Sequence, residues 1–108
     1  MHLIEEQDSR KVEPILETQD VDIVVTDLDM VDNNGFHLLK LIKSRDPLIQ
    51  VVIVTAHGSA NVVHSALMLG ADEFLVKPYD QWDLIRSIEY LSGRQKRLRS
   101  LIGVPGTA

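Results

Sequence analysis

The run Asp22-Ile23-Val24-Val25-Thr26 leads directly into Asp27-Leu28-Asp29, and this passage decides the fold. Its apolar residues are β-branched and show no polar alternation, so the spacing predicts a strand buried on both faces, as in a parallel sheet covered by helices. Two more runs have this character, Gln50-Val51-Val52-Ile53-Val54-Thr55 and the shorter Glu73-Phe74-Leu75-Val76. Helical patterns lie between and after them. Phe36, Leu38, Leu39, Leu41 and Ile42 mark a helix over about 35–45, closed by Pro47. Val62, Val63, Ala66, Leu67 and Leu69 mark a second, with Ser59 as N-cap and Gly70 as its stop. A third follows Pro78, with Trp82, Leu84, Ile85, Ile88 and Leu91 expected on its inner side and Met68 of the preceding helix expected to fill the core. Strand and helix alternate at the spacing of βαβ units, which predicts an α/β fold with right-handed crossovers.

The chain of 108 residues is one domain's worth, and its 44% hydrophobic and 25% charged residues disfavour disorder, collagen-like repeats and coiled coil. The absence of cysteine excludes a disulfide scaffold, a thiolate metal site and a cysteine nucleophile. No apolar run approaches a membrane span, and the acidic start Leu3-Ile4-Glu5-Glu6 does not read as a signal peptide, so the expected location is the cytoplasm. The net charge of −5 is unevenly spread. Residues 1–89 hold all 16 acidic groups and 7 of the 11 basic ones, whereas the remaining basic residues, Arg94, Lys96, Arg97 and Arg99, crowd the end. An acidic body repels a nucleic-acid backbone, and the basic run reads as the cationic end of a helix. The expected division is therefore a domain over 1–93 and a basic helix end with linker over 94–108, with no direct nucleic-acid binding and no membrane contact.

Ligands of parallel α/β sheets collect beyond the carboxyl ends of the strands. There the chain places Asp27 and Asp29, then Thr55, His57 and Ser59, then Lys77 and Pro78. Carboxylate, hydroxyl and ammonium on three successive strands suit phosphoryl transfer: the carboxylate as nucleophile, the ammonium and hydroxyl binding the incoming oxygens. Mg²⁺ is the usual bridge between a carboxylate and a phosphoryl group, because it relieves their repulsion. His57 reads as a polar loop residue with a possible role beside the bound phosphate.

The stretches Asp27-Leu28-Asp29-Met30-Val31-Asp32-Asn33-Asn34-Gly35, Val54-Thr55-Ala56 and Gly70-Ala71-Asp72-Glu73-Phe74-Leu75-Val76-Lys77-Pro78 together resemble the response-regulator receiver domains of two-component signalling, the CheY-like family. The match runs from Val21 to Tyr90. It implies a flavodoxin-like parallel sheet with helices on both faces, Asp27 as phospho-acceptor, Lys77 as phosphoryl-binding lysine, and Thr55 and Phe74 as switch residues. It further implies Mg²⁺ held by Asp27 and the backbone carbonyl of Asp29, a cis bond before Pro78, and Gly35 in a loop turning back over the site. The implied partner is a sensor histidine kinase or phosphotransfer protein, and an effector domain after the C-terminus is compatible with the pattern. Such a domain is a signalling receiver that catalyses at most its own phosphorylation.

The departures carry structural consequences. Family members open with a strand ending in an acidic pair that holds Mg²⁺, then a helix and a second strand, whereas here Asp27 comes after only one such unit and Ser9 to Gln19 resembles the family's second helix. The proline expected four residues after the acceptor is Val31. The first βα unit is thus unmatched. Two placements of the N-terminus compete: His2-Leu3-Ile4 takes the vacant place beside the Asp22–Thr26 strand and brings Glu5 or Glu6 near Asp27 as substitute metal ligands, or it is the family's outer strand with solvated glutamates. Without the first helix, apolar strand residues on one face are expected to be wet and to drive homodimer formation. The rival function is a pseudo-receiver, a phosphorylation-independent binding or dimerisation module that has lost firm Mg²⁺ binding.

Overall fold

The computed structural model describes residues 3–6 as backbone and residues 14–16, 21–28 and 35–103 in full. Four parallel strands form one sheet in the order β1-β2-β3-β4: β1 (Leu3–Glu6), β2 (Ile23–Asp27), β3 (Gln50–Thr55) and β4 (Glu73–Val76). Helix α1 (Gly35–Arg45) joins β2 to β3, α2 (Ala60–Met68) joins β3 to β4, and α3 (Gln81–Leu101) follows β4. The three strands expected from sequence form, the first shifted by one residue so that Asp27 closes it. Ser59 caps α2, its hydroxyl accepting from the Val62 amide at 3.3 Å, and Asp80 caps α3, accepting from the Trp82 amide at 2.8 Å.

The N-terminal strand takes the vacant place. β1 pairs with β2 in parallel, Leu3 opposite Ile23 and Glu6 opposite Thr26, so the chain reaches β2 after a single crossover. That crossover includes a helical stretch at residues 14–16. His2 lies outside the described residues.

The sheet divides the core in two. On one face Val24, Val51 and Ile53 pack against Leu38, Leu39 and Ile42 of α1 and Ala66 of α2. On the other, Ile23, Val25, Val52 and Val54 pack under Leu91, Leu84 and Ile88 of α3, with Leu75 and Tyr79 alongside. The expectation of wet strand residues on this second face is not met, because all four strand side chains are buried. Among the described residues, the long helix crossing β2 and β3 covers them, with Tyr79 beside it.

Two side chains assigned to the core from sequence are outside it. Trp82 is 64% exposed, since the inner stripe of α3 is Leu84, Ile88, Leu91 and Gln95 and the 3.6-residue period turns Trp82 away from it. Met68 is 73% exposed, because α2 meets the core chiefly through Ala66.

The inner stripe of α3 continues past residue 93 in polar form. Gln95 is buried and donates to the carbonyls of Asp22 at 2.8 Å and Leu48 at 2.9 Å. Arg94 donates to Gln50 Oε1 at 2.8 Å and to Asp72 Oδ1 at 3.0 Å, and Arg99 pairs with Asp46 at 3.4 Å. The run from residue 94, expected as a helix end and linker, is thus a continuous helix to Leu101 that grips the amino-terminal ends of the strands, and two of its four cations are spent there.

Asp72 is the centre of that grip. Its carboxylate accepts from the Val51 amide at 2.8 Å and from Lys43 at 2.6 Å as well as from Arg94, joining α1, β3 and α3. Lys43 also donates to the Ile49 carbonyl at 2.7 Å.

Candidate functional site

The opposite pole of the sheet, at the carboxyl ends of the strands, gathers the polar residues singled out by sequence. Asp27 ends β2 and is buried, although its strand neighbours Val25 and Val54 are apolar. A buried carboxylate demands a compensating partner. Lys77, just beyond β4, supplies it: Nζ donates to Asp27 Oδ2 across 50 residues of sequence. The lysine keeps 40% of its side chain exposed while the carboxylate keeps 11%, so the cation sits on the solvent side of the pair.

Thr55 ends β3 one residue beyond Val54, the register partner of Asp27. Its hydroxyl is buried with the residue and accepts from the His57 amide at 3.1 Å, while its carbonyl accepts from the Lys77 amide at 2.8 Å. That backbone bond carries β4's pairing one step past the strand and fixes the root of the lysine beside the threonine. The Lys77–Pro78 peptide bond is cis, as the resemblance implies. His57 itself is exposed in the loop after β3.

Phe74 pairs with Ile53 in register and packs at the rim of the α1–α2 side of the core. Asp29 lies outside the described residues. Glu5 and Glu6 occupy the last two positions of β1, opposite Val25 and Thr26, on the strand next to the one that carries Asp27.

Two glycines shape the site in ways the sequence did not disclose. Gly35 is the first residue of α1 rather than part of a loop, and a Cβ there would lie 2.7 Å from Leu28 Cδ2 and 3.0 Å from Leu28 Cα. The helix start therefore lies directly against the chain leaving Asp27, and any side chain at Gly35 would have to displace Leu28. Gly58 brings the loop after Thr55 onto the end of β4, where a Cβ would meet Val76 Cγ2 at 2.4 Å. Asp72 and Gln95, which hold the far pole together, were also missed, since a lone Asp in a turn and a Gln in a basic helix carry no periodic signal.

The carboxyl edge of this parallel α/β sheet thus carries a buried carboxylate, the lysine paired with it and a hydroxyl on the intervening strand, at the edge where α/β sheets bind ligands. Comparison with known proteins identifies the family. Residues 2–89 match the response regulator receiver domain, and the chain belongs to that family. It is 33% identical over 94 residues to the DNA-binding transcriptional regulator NtrC of Klebsiella pneumoniae, covering 83% of this chain and 20% of that protein. It is 34% identical over 86 residues to the transcriptional regulatory protein FixJ of Azorhizobium caulinodans, covering 74% of this chain and 41% of that protein. The chain thus spans about a fifth or less of the NtrC regulators it matches. Among solved structures it resembles the signal receiver domain of a putative LuxO repressor protein from Vibrio parahaemolyticus, with a TM-score of 0.80, 27% identity and coverage of 92% of this chain and 75% of that one. It also resembles the beryllofluoride-activated NtrC4 receiver domain dimer, with a TM-score of 0.77, 27% identity and coverage of 82% and 74%. The protein is therefore a signalling receiver with a CheY-like fold.

Proposed function

We propose that Asp27 accepts a phosphoryl group from the phosphohistidine of a sensor kinase or phosphotransfer protein, and that the resulting acyl phosphate is the signal. The observation that carries this reading is the pairing of the buried Asp27 carboxylate with the partly exposed Lys77 at the carboxyl edge of the sheet, next to the buried Thr55. A carboxylate oxygen of Asp27 attacks phosphorus, the phosphorus–nitrogen bond breaks, and the imidazole leaves with the bonding pair. Lys77 moves from the carboxylate to a phosphoryl oxygen, and Thr55 donates its hydroxyl proton to another. Retaining a buried aspartate against a lysine is costly for a module used only for packing, which favours this reading over a pseudo-receiver.

Mg²⁺ neutralises the repulsion between carboxylate and phosphoryl oxygens when bound. We assign it to Asp27, the carbonyl of Asp29, and Glu5 or Glu6. The donor set is all oxygen, as a hard cation requires, and the pairing of β1 with β2 sets the two glutamates on the strand beside Asp27.

Movement of Thr55 and Phe74 on phosphorylation then repacks the surface formed by α2, β4 and α3. The reaction belongs in the cytoplasm, and an effector domain joined after α3 is the expected reader. Among the described residues no helix is long and apolar enough to cross a membrane.

Intact mass spectrometry after incubation with a small phosphodonor tests the proposal. The expected result is a Mg²⁺-dependent phosphoryl adduct that is lost in Asp27→Asn and weakened in the double variant Glu5→Gln/Glu6→Gln. Folded protein that forms no adduct would overturn it in favour of a phosphorylation-independent binding module.

A further inference from the structure

β4 ends in Val76, and the next residue is Lys77, whose Nζ pairs with Asp27. Val76 stands level with Thr55 in the β3–β4 register, and the Lys77 amide donates to the Thr55 carbonyl at 2.8 Å. The two side chains that serve the phosphoryl oxygens therefore hang from one rung of the ladder. Side chains alternate along a strand, so Val76 shares the face of Phe74, on the side of the sheet covered by α1 and α2.

Over this rung the chain makes a short loop from Thr55 to α2, Ala56 to Ser59, and all four loop residues are exposed. Three contacts fix its path. The His57 amide donates to Thr55 Oγ1 at 3.1 Å, the Ser59 hydroxyl caps α2, and between them Gly58 rests on the side chain of Val76. The first contact bears on the chemistry, because an accepted bond at Oγ1 fixes the rotamer of a β-branched residue and so the place from which its hydroxyl donates. The second and third decide whether the His57 amide stays within reach of that oxygen.

Gly58 does not have a positive φ, so backbone conformation does not call for glycine there, but the space above Val76 does. A Cβ on Gly58 would stand 3.1 Å from Val76 Cγ1 and 3.3 Å from Val76 Cβ, and closer still to Cγ2. Valine is stiff at χ1 and its Cβ cannot rotate away, so the exposed loop itself must lift. A lifted loop withdraws the His57 amide from Thr55 and frees the hydroxyl to turn. Misplacing a substrate-binding group by about 1 Å costs up to about a hundredfold in rate.

We infer that Gly58 and Val76 are positioning residues for phosphoryl transfer: the side chain missing at position 58 lets the loop lie on Val76, and this contact holds the Thr55 hydroxyl at the site shared by Asp27 and Lys77. The inference rests on Asp27 as the phosphoryl acceptor. The pair acts through Thr55 and through the root of Lys77.

The test is the rate of adduct formation with a small phosphodonor and Mg²⁺, followed by intact mass at saturating donor and well below the thermal midpoint. Gly58→Ala should form the adduct about tenfold more slowly than the parent, or slower still, with no change in the donor concentration that gives half the maximal rate. Gly58→Ala combined with Val76→Ala, which takes both methyls from under the loop, should recover most of the lost rate. Loss of stability alone does not move a rate measured while circular dichroism shows the chain fully folded, and two merely destabilising truncations would not correct one another. Gly58→Ala that transfers at the parent rate, or a double variant no faster than Gly58→Ala, would overturn the inference. So would a Gly58→Ala chain that does not fold, because the loop would then support the fold rather than guide Thr55. A parent that forms no adduct removes the phosphoryl-acceptor reading and the inference together, whereas parent transfer with an indifferent Gly58→Ala removes the inference alone.

Discussion

Asp27, at the end of β2, and Asp72, in the turn before β4, are both largely buried carboxylates, yet their surroundings give them opposite tasks. Asp27 pairs with Lys77, whose side chain is 40% exposed, so this cation can turn to an incoming anion. Asp72 is held by a backbone amide and two cations from different helices, and every bond it makes closes the fold. Asp72→Ala leaves the Val51 amide and a largely buried Lys43 without their acceptor. The expected loss is about 3 kcal/mol, discounted for the partial exposure of Arg94. In a domain of this size that lowers the thermal midpoint by roughly 15 °C in a calorimetric scan. Removing the Asp27 carboxylate should cost far less stability, because water reaches Lys77.

At the scale of elements, α3 joins the two ends of the molecule. Leu84, Ile88 and Leu91 pack on β2 and β3, and Arg94, Gln95 and Arg99 fasten the same helix to the base of the sheet. Truncation after Gly93 therefore removes the last two turns of α3 with their contacts. It strips the carbonyls of Asp22 and Leu48 of their Gln95 donor and leaves Asp72 without Arg94. The expected outcome is a shortened chain that unfolds in urea with about 3 kcal/mol less stability than the parent. An unchanged midpoint would show that the domain ends at residue 93. Gln95 escaped the sequence reading because the stripe of period 3.6 was followed only while its members were apolar, and the basic run around it pointed to solvent.

For the whole molecule, the sheet is shared by two clusters, so neither face is independent of the other. Leu39 under α1 and Leu91 under α3 are fully buried on opposite sides. Leu39→Ala and Leu91→Ala should each cost about 3 kcal/mol. Each should also shift the same single transition when unfolding is followed both by tryptophan fluorescence and by far-ultraviolet circular dichroism. Separate transitions by the two probes would show that the α3 face melts on its own. The strand pairing of β1 is the least local feature of the fold. It closes a four-stranded sheet from a chain with only one βα crossover before the Asp27 strand, and Leu3 and Ile4 as the last apolar residues before a pair of glutamates did not by themselves say beside which strand they lie.

The sequence by itself determined the strands β2, β3 and β4, the helix start at Ser59, and the order Asp27, Thr55, Lys77, because these rest on local signals: unbroken β-branched runs, a cap, and polar residues placed just past strand ends. Family membership was legible for the same reason, as the motifs are short and fixed in order. Only the tertiary structure decided that β1 fills the place beside β2, that Ile23, Val25, Val52 and Val54 are dry under one helix, that Trp82 faces outward, and that Arg94 and Gln95 belong to the core's polar seal. Each of these depends on which distant element arrives at a surface, and on the rotation at which a helix settles once all its contacts are counted. No short window of sequence contains that information.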